Sequence, residues 1–322
     1  MRRSKLLSMG LAALLVIALA GCSKQGPPQL EEPVEHIPTA AELADSLATE
    51  TAVYYRTGNG LLAPVARQIY GGENLAQAAL DQLVAGEITS AQVQELGLNP
   101  TIPEGVAVTA TQVGSTVVVD FSGELALEDA AQENAMVQSV AATLLALEDV
   151  SKVRMTFDGQ SGDKLAHGTD VSGEFTAVTL NPELTAGVDE EAAQSVMVYF
   201  EEDSHRALVP VTRKVGGAAD VREALEQLVA GPNEGTGLSR ILPEDTAINS
   251  CALEGGKLTV DFTEPFASLT RYPITEQQAF KSLLLTLKQF PEIKQVAITV
   301  EGEPYQPASA DSLSVPTFAN EY

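Results

Sequence analysis

Four carboxylates occupy matching positions in the two halves of this 322-residue chain, and they are the side chains best placed to do chemistry. Asp120 and Asp261 lie near the ends of the runs VVVDFS and LTVDFT, while Glu104 and Glu244 follow the prolines of IPEGVAV and LPEDTAI. Two carboxylates in each half could serve acid–base hydrolysis of a glycosidic bond. An aspartate at a strand end and a Pro-Glu pair are also common in turns, where they accept or frame backbone hydrogen bonds. We favour this second interpretation and assign all four as interaction or structural turn positions.

Other residues that could act in catalysis or bind a metal are few. The histidines His36, His167 and His205 do not recur at matching positions, so neither a metal cluster nor a nucleophile–base pair is predicted. Cys251 has no basic neighbour in the sequence to stabilise a thiolate and is expected to be a small buried apolar residue. We therefore expect no catalytic residue, metal or cofactor, and a protein that is not an enzyme.

The elements that must position the four carboxylates occur twice along the chain. Residues 52–70 and 197–215 both show strand-like alternation on either side of a polar turn. An amphipathic helix follows in each half and ends in the shared motif LxQLVAG, whose leucines are packing residues. Gly86 and Gly231 are expected to close these two helices as left-handed caps.

After those glycines the halves differ in length, because 15 residues at 87–101 stand where the second half has ten at 232–241. A second strand pair, a second helix and a closing strand then complete each unit. Thr275 and Gln278 form a capping box that predicts the start of the later helix. The predicted fold class is α+β, with two tandem β-β-α-β-β-α-β domains, each a mixed sheet packed by two helices.

The N-terminus has the features of an exported lipoprotein. Residues 1–21 combine a basic start, an apolar middle and a small-residue end, and the apolar stretch is short for a membrane span. Leu19-Ala20-Gly21-Cys22 resembles a lipobox, which implies that Cys22 is acylated and anchors the chain on the extracytoplasmic face of the cell membrane. The predicted organisation is a signal peptide at 1–21, an acidic Pro-rich tether at 22–50, domains at 51–182 and 195–322, and a linker at 183–194.

The strong negative charge of the chain limits its partners. It has 19 basic and 44 acidic side chains, for a formal net charge of −25, and removal of Arg2, Arg3 and Lys5 with the signal peptide makes the charge more negative. Such a surface repels nucleic acid and anionic headgroups, so neither is expected as a partner. The acidity could equally be no more than a solvating surface.

The second unit resembles a GerM-type domain, the module named for sporulation and spore germination. The motifs that carry the resemblance are VMVYF (196–200), ALVPVTRKV (207–215), ALEQLVAGP (224–232), ILPEDTAI (241–248), LTVDFTEPF (258–266) and the run LLTLKQFPEIKQVAITVEGE to residue 303. The first unit matches less well, since Glu87 replaces the proline after the glycine. VTLNP near Asn181 and TFAN near Asn320 resemble the family's closing segment.

This resemblance implies a tandem-domain surface lipoprotein with domains similar to the ring-building motifs of sporulation channel components. Its implied role is assembly through protein partners in the cell envelope, with sporulation channel components among the candidates, and contact with the bilayer through acylated Cys22. The alternative is a peptidoglycan- or small-ligand-binding lipoprotein with a housekeeping role. A stacking platform for sugars would have to use Tyr54, Tyr55, Tyr199 and Phe200, yet strand spacing favours core and edge positions for them.

Overall fold

The computed structural model describes residues 48–72, 74–183, 188, 194–203, 207–271, 273–308 and 313–321. The predicted signal peptide, Cys22, most of the tether, most of the predicted linker at 183–194, and the histidines His36 and His205 lie outside these residues. The described residues form two α+β halves that repeat one order of elements, which confirms the predicted fold class.

The first half begins with a β-hairpin and alternates sheet and helix from there. Its elements in chain order are β1 (Thr49–Thr57), β2 (Leu62–Ile69), α1 (Leu75–Asp81), α2 (Glu87–Gln94), β3 (Leu98–Asn99), β4 (Ala107–Val113), β5 (Thr116–Ser122), α3 (Ala130–Leu145), β6 (Lys152–Phe157) and β7 (Pro182–Glu183).

The second half repeats this order with one helix replaced by a short loop. Its elements are β8 (Gln194–Glu202), β9 (Leu208–Val215), α4 (Val221–Ala230), β10 (Leu238–Ser239), β11 (Ile248–Glu254), β12 (Lys257–Phe262), a 3-10 helix (Glu264–Arg271), α5 (Pro273–Leu287), β13 (Gln295–Val300) and β14 (Glu303–Pro304).

The strands of each half divide into two sheets, which differs from the single mixed sheet predicted for each domain. In the first sheet the hairpin β1–β2, or β8–β9, is extended by the short strand β3 or β10. In the second sheet β5 lies between antiparallel β4 and parallel β6, and β12 lies between antiparallel β11 and parallel β13. The parallel pairs are joined by the long helices α3 and α5, because parallel strands need a crossover connection.

Alternating apolar residues on the central strands build the core. Val117, Val119 and Phe121 of β5 are at most 1% exposed, and the corresponding residues of β12 are buried to the same extent. Burial of each such side chain stabilises the fold by about 1.5 to 3 kcal/mol. Because successive side chains alternate across a strand, Asp120 and Asp261 lie on the opposite face from this core.

The long helices also carry buried hydroxyls that attach them to the hairpins. Ser139 Oγ donates to the Tyr54 carbonyl at 2.5 Å, and the Tyr54 amide donates to Thr143 Oγ1 at 3.0 Å. Ser282 and Thr286 of α5 make the same two bonds to the backbone of Tyr199. In each half, one face of the long helix therefore provides hydrogen-bond partners for both the amide and the carbonyl of one strand residue.

The two copies of LxQLVAG do not end their helices in the same way. α4 runs to Ala230, and Gly231 follows as its C-cap with φ +82° and ψ 178°. Glycine therefore ends this helix at a positive φ, but its ψ lies outside the left-handed helical region, so the predicted left-handed cap is not formed. α1 ends at Asp81, and Gly86 is extended at φ 179°, so the prediction of a left-handed cap at Gly86 was wrong. The chain turns earlier in the first half because the additional helix α2 begins directly after Gly86.

The start of the last helix also differs from its prediction. α5 begins at Pro273, upstream of the capping box proposed at Thr275 and Gln278. Proline suits the first position of a helix, since its missing amide would have no partner there. Thr275 therefore lies inside the helix and does not cap it.

Candidate functional site

Asp120 anchors the turn that follows the closing strand of the first half. Its carboxylate accepts hydrogen bonds from Thr156 Oγ1 at 2.6 Å, from the Gly159 amide at 2.8 Å and from Ser122 Oγ at 3.2 Å. These bonds, that from Thr156 first, hold the pKa of Asp120 below its ordinary value. An ionised carboxylate with this many donors is poorly suited to act as a general acid.

Asp261 has the same surroundings in the second half. It accepts from Thr299 Oγ1 at 2.5 Å, from the Gly302 amide at 2.8 Å and from Asn249 Nδ2 at 3.1 Å. The bond from Thr299, followed by that from Gly302, lowers the pKa of Asp261. The two aspartates therefore make equivalent contacts, and these contacts are those of turn anchors.

Glu104 and Glu244 lie exposed in their Pro-Glu turns. The residues after them, Gly105 and Asp245, have φ values of +84° and +65°, which a tight turn requires and which glycine and aspartate tolerate. Neither glutamate contributes to the hydrogen bonds that hold Asp120 or Asp261 in the described structure. The structure therefore does not join the carboxylates of either half into an acid–base pair.

A buried carboxylate that the sequence reasoning missed lies in the first turn of α3. Glu133 is 2% exposed and accepts from the amides of His167 at 2.7 Å and Thr169 at 3.2 Å. Burial alone would raise the pKa of Glu133, but these bonds outweigh it and the pKa is lowered. The ring of His167 contacts the Leu127 carbonyl through Nε2 at 2.9 Å, so this histidine helps to fix a loop on α3.

Glu276 is the counterpart of Glu133 at the start of α5. It is 1% exposed and accepts from the Tyr305 hydroxyl at 2.6 Å and the Ala308 amide at 2.8 Å. Burial, and then the bond to Glu276, raises the pKa of Tyr305. The signal that could have identified the pair was a glutamate at matching positions in the first turn of each long helix.

Cys251 is less buried than the sequence predicts. It lies on β11, is partly exposed, and packs against the edge of the core as a free thiol. Burial raises the pKa of Cys251 more than nearby Arg222 lowers it, which disfavours the thiolate. Over the residues that the structure describes, no group of His, Cys, Asp and Glu side chains could hold a metal ion.

The four aromatic residues considered as a sugar platform do not form one. Tyr55 and Phe200 are at most 1% exposed and belong to the core. Tyr54 and Tyr199 are half-buried, and burial raises the pKa of both hydroxyls. Tyr54 and Met197 of the second half both pack against one buried cluster, formed by Leu62, Ala135, Ala142 and Leu180, so this side of the hairpins is an internal contact.

The two halves are joined by an asparagine at the end of each. Asn181 receives a hydrogen bond from the Leu62 amide at 2.8 Å, and its Nδ2 donates to the carbonyls of Leu62 at 2.8 Å and Pro210 at 2.7 Å. Leu62 belongs to β2, whereas Pro210 belongs to β9 of the second half. Asn181 thus connects the edges of two hairpins across the boundary between the halves.

Asn320 makes the matching contacts from the other side. Its Oδ1 accepts from the Leu208 amide, and its Nδ2 donates to the carbonyls of Leu208 and Pro64, all at 2.8 Å. Each asparagine therefore holds a leucine of its own half and a proline carbonyl of the other half. The two sets of contacts are related by an approximate two-fold symmetry, and we call Asn181 and Asn320 together the asparagine clasp.

A buried ion pair adds to this junction. Arg213 of β9 is 3% exposed and contacts Glu183 of β7 at 2.8 Å. Its Nη1 donates to the Gln227 carbonyl at 3.0 Å, and its guanidinium lies 4.9 Å from the centroid of the Phe200 ring. β7 pairs with β9, so the last strand of the first half becomes part of a sheet of the second half.

The fold and these contacts define the class of the protein: two homologous α+β domains in tandem, joined edge to edge. In both domains one aspartate anchors a turn and one buried glutamate holds a loop. Within the described part of the chain, every helix is too short or too polar to cross a bilayer.

The chain belongs to the Germane family, described as sporulation and spore germination, whose profile matches residues 52–163 and 197–306. This match confirms the GerM-type resemblance drawn from the motifs. The spore germination protein GerM of Bacillus subtilis (strain 168) is 26% identical over 288 residues, which cover 82% of this chain and 78% of that protein. The solved structure of the tandem GerMN domains of the sporulation protein GerM from Bacillus subtilis has 25% identity and a TM-score of 0.66, covering 85% of this chain and 99% of that chain.

Proposed function

We propose that this protein is a lipid-anchored extracytoplasmic lipoprotein that acts as a non-enzymatic assembly module in an envelope complex of sporulation or spore germination. The observation that carries the proposal is the match of both joined domains to the tandem GerMN domains of a sporulation protein. The commitment of Asp120 and Asp261 to turns supports a role through surfaces over a role in catalysis. Its partners are envelope proteins, with sporulation channel components among them, and the bilayer.

Crosslinking in the native cells tests the assembly role. The anchored full chain is crosslinked during sporulation and during growth, and the attached proteins are identified. Capture of envelope proteins during sporulation and not during growth is the expected result. Capture of wall polymer alone, equally in both stages, would contradict the proposal and favour a housekeeping role in peptidoglycan binding.

The lipid anchor has its own test, because the chain has only two cysteines. Cys22→Ser is expected to abolish incorporation of a labelled fatty acid and to release the chain from the membrane fraction. Cys251→Ser is the matched control and is expected to leave both unchanged, since Cys251 lies on a folded strand. Equal labelling of wild type and Cys22→Ser would show that the anchor prediction is wrong.

A further inference from the structure

The additional residues of the first domain build a groove next to α2. The groove has a volume of about 540 Å³, and its apolar lining includes Val84, Ile88, Val106 and Val108. Ile88 is 74% exposed, although it is a large apolar side chain on a folded helix. We call this feature the Ile88 groove. A large apolar side chain exposed beside a concave apolar surface is a feature of interaction sites.

Side-chain hydrogen bonds hold the walls of the Ile88 groove in place. Gln77 Nε2 donates to the Val108 carbonyl at 3.0 Å and to Asp81 Oδ1 at 2.8 Å, and Gln77 Oε1 accepts from the Ala110 amide at 2.7 Å. Thr89 Oγ1 donates to the Val84 carbonyl at 2.7 Å. A groove formed in advance loses little conformational freedom when it binds, which favours affinity.

The second domain has a different structure at the matching place. Its shorter segment runs from the end of α4 at Ala230 to β10 at Leu238 without a helix, and all of these residues are described. The Ile88 groove is therefore a feature of the insertion in the first domain and not of the shared fold. A distinct contact made by the first domain would account for this difference between two homologous halves.

The charge of the groove indicates what it binds. Its lining contains two carboxylates, Asp81 and Glu87, and no basic side chain. The chain's own segment before the first domain is acidic, with QLEEPVEH at 29–36, and a second copy of the chain also has far more acidic than basic side chains. Like charges next to each other disfavour both as occupants. A cationic segment of another protein is complementary.

We propose that the Ile88 groove binds a segment of a partner protein that inserts an apolar side chain between lysines or arginines. The apolar side chain contacts Ile88 and the valine floor, and the basic side chains pair with Asp81 and Glu87. This inference rests on the proposed assembly function and assigns that function to one surface of the first domain.

A peptide pair tests the chemistry with the full mature chain held in nanodiscs. The probes are the peptide GSKLIKLGS and its charge-reversed form GSELIELGS, with binding followed by fluorescence anisotropy. The basic probe is expected to bind the wild-type chain. Ile88→Ser is expected to weaken this binding about tenfold, because the complex then loses one apolar side chain that the bound peptide would bury. Val113→Ser is the control, because Val113 is 71% exposed in the same domain but outside the groove. Equal binding of both probes, or equal loss in both variants, would overturn the proposal.

A photo-crosslinking side chain placed at position 88, with position 113 as control, tests the groove in sporulating cells. Crosslinking at position 88 alone, to a peptide with basic residues flanking an apolar one, is the expected result. Capture of lipid, wall polymer, a second copy of this chain or nothing at position 88 would overturn the Ile88 groove as the site. If stage-specific complexes still form in the Ile88→Ser chain, the assembly function stands without the groove; if wild type forms none, the assembly function itself fails.

Discussion

Asp120 and Asp261 are carboxylates whose contacts give them a structural role, which is to hold the turn after the closing strand. Each accepts bonds from a threonine hydroxyl and from a glycine amide after the closing strand, and each has a lowered pKa. A group whose pKa is lowered by folding stabilises the folded state above its unfolded pKa, and this stabilisation is lost as the pH falls through the folded value.

Asp261→Asn is therefore expected to lower the free energy of unfolding by about 1 to 2 kcal/mol at neutral pH, because the amide accepts fewer of these bonds. The ordinary pKa of the group is 3.8, so the difference from wild type is expected to be full above that value and to shrink below it. Denaturant unfolding of both chains across this pH range measures the difference.

Glu244→Gln is the control for that comparison. Glu244 is exposed in its turn, so a change within about 0.5 kcal/mol is expected. A loss of stability in Asp261→Asn that stays constant down to low pH would show that the ionised carboxylate is not what holds the turn.

At the scale of elements, the same LxQLVAG motif ends two helices in different places. Gly231 follows α4 at a φ of +82°, and a Cβ there would lie 2.8 Å from Cζ of Arg240. Gly86 is extended, and a Cβ there would lie 3.7 Å from Thr89 Oγ1, which is an ordinary van der Waals distance. The motif is shared, but only one of its glycines needs to be glycine.

Gly231→Ala is expected to destabilise the protein by about 1 to 2 kcal/mol, because an L-residue is strained at positive φ. Gly86→Ala is the matched variant and is expected to change stability by less than about 0.5 kcal/mol. Thermal unfolding of the two variants compares them directly. Equal losses would contradict the assigned difference in backbone conformation.

At the scale of the whole molecule, the asparagine clasp determines how the domains are joined. Asn320 is 7% exposed and connects Leu208 to Pro64, which are 144 positions apart in the chain. Pro64 on β2 and Pro210 on β9 have no amide hydrogen, so these two strand edges do not form an ordinary β-ladder at the prolines. The side chains of Asn320 and Asn181 supply the donors for the two proline carbonyls. The two domains thereby share a junction of buried polar bonds.

Asn320→Ala removes three buried hydrogen bonds. It is expected to lower the free energy of unfolding by about 3 kcal/mol or more, because the backbone groups of Leu208 and Pro64 lose their hydrogen-bond partner. Because the substitution weakens the junction more than either core, calorimetry is expected to show two unfolding transitions for the variant and one for the wild type. Asn99→Ala, at an exposed position, is the control and is expected to keep one transition. One unchanged transition in Asn320→Ala would contradict the clasp.

Much of the fold follows from local patterns in the sequence. The alternation in VVVDFS and LTVDFT predicts which side chains are buried, and helical spacing predicts the core faces of α3 and α5. The turn role favoured for Asp120 and Asp261 also fits the contacts observed. The cap at Gly86 was mispredicted because a motif alone does not show that a further helix begins directly after it.

The sequence by itself determined the repeat, the order of elements, the α+β class and the family, because these are encoded in short periodic patterns that each domain contains twice. Only the tertiary structure decided the asparagine clasp, the burial of Glu133 and of Glu276, the division of each half into two sheets, and the Ile88 groove. Asn320 and Pro64 are 256 positions apart, and no local spacing records a contact over that distance. Such contacts depend on how completed domains pack, where burial and hydrogen-bond satisfaction select the partners.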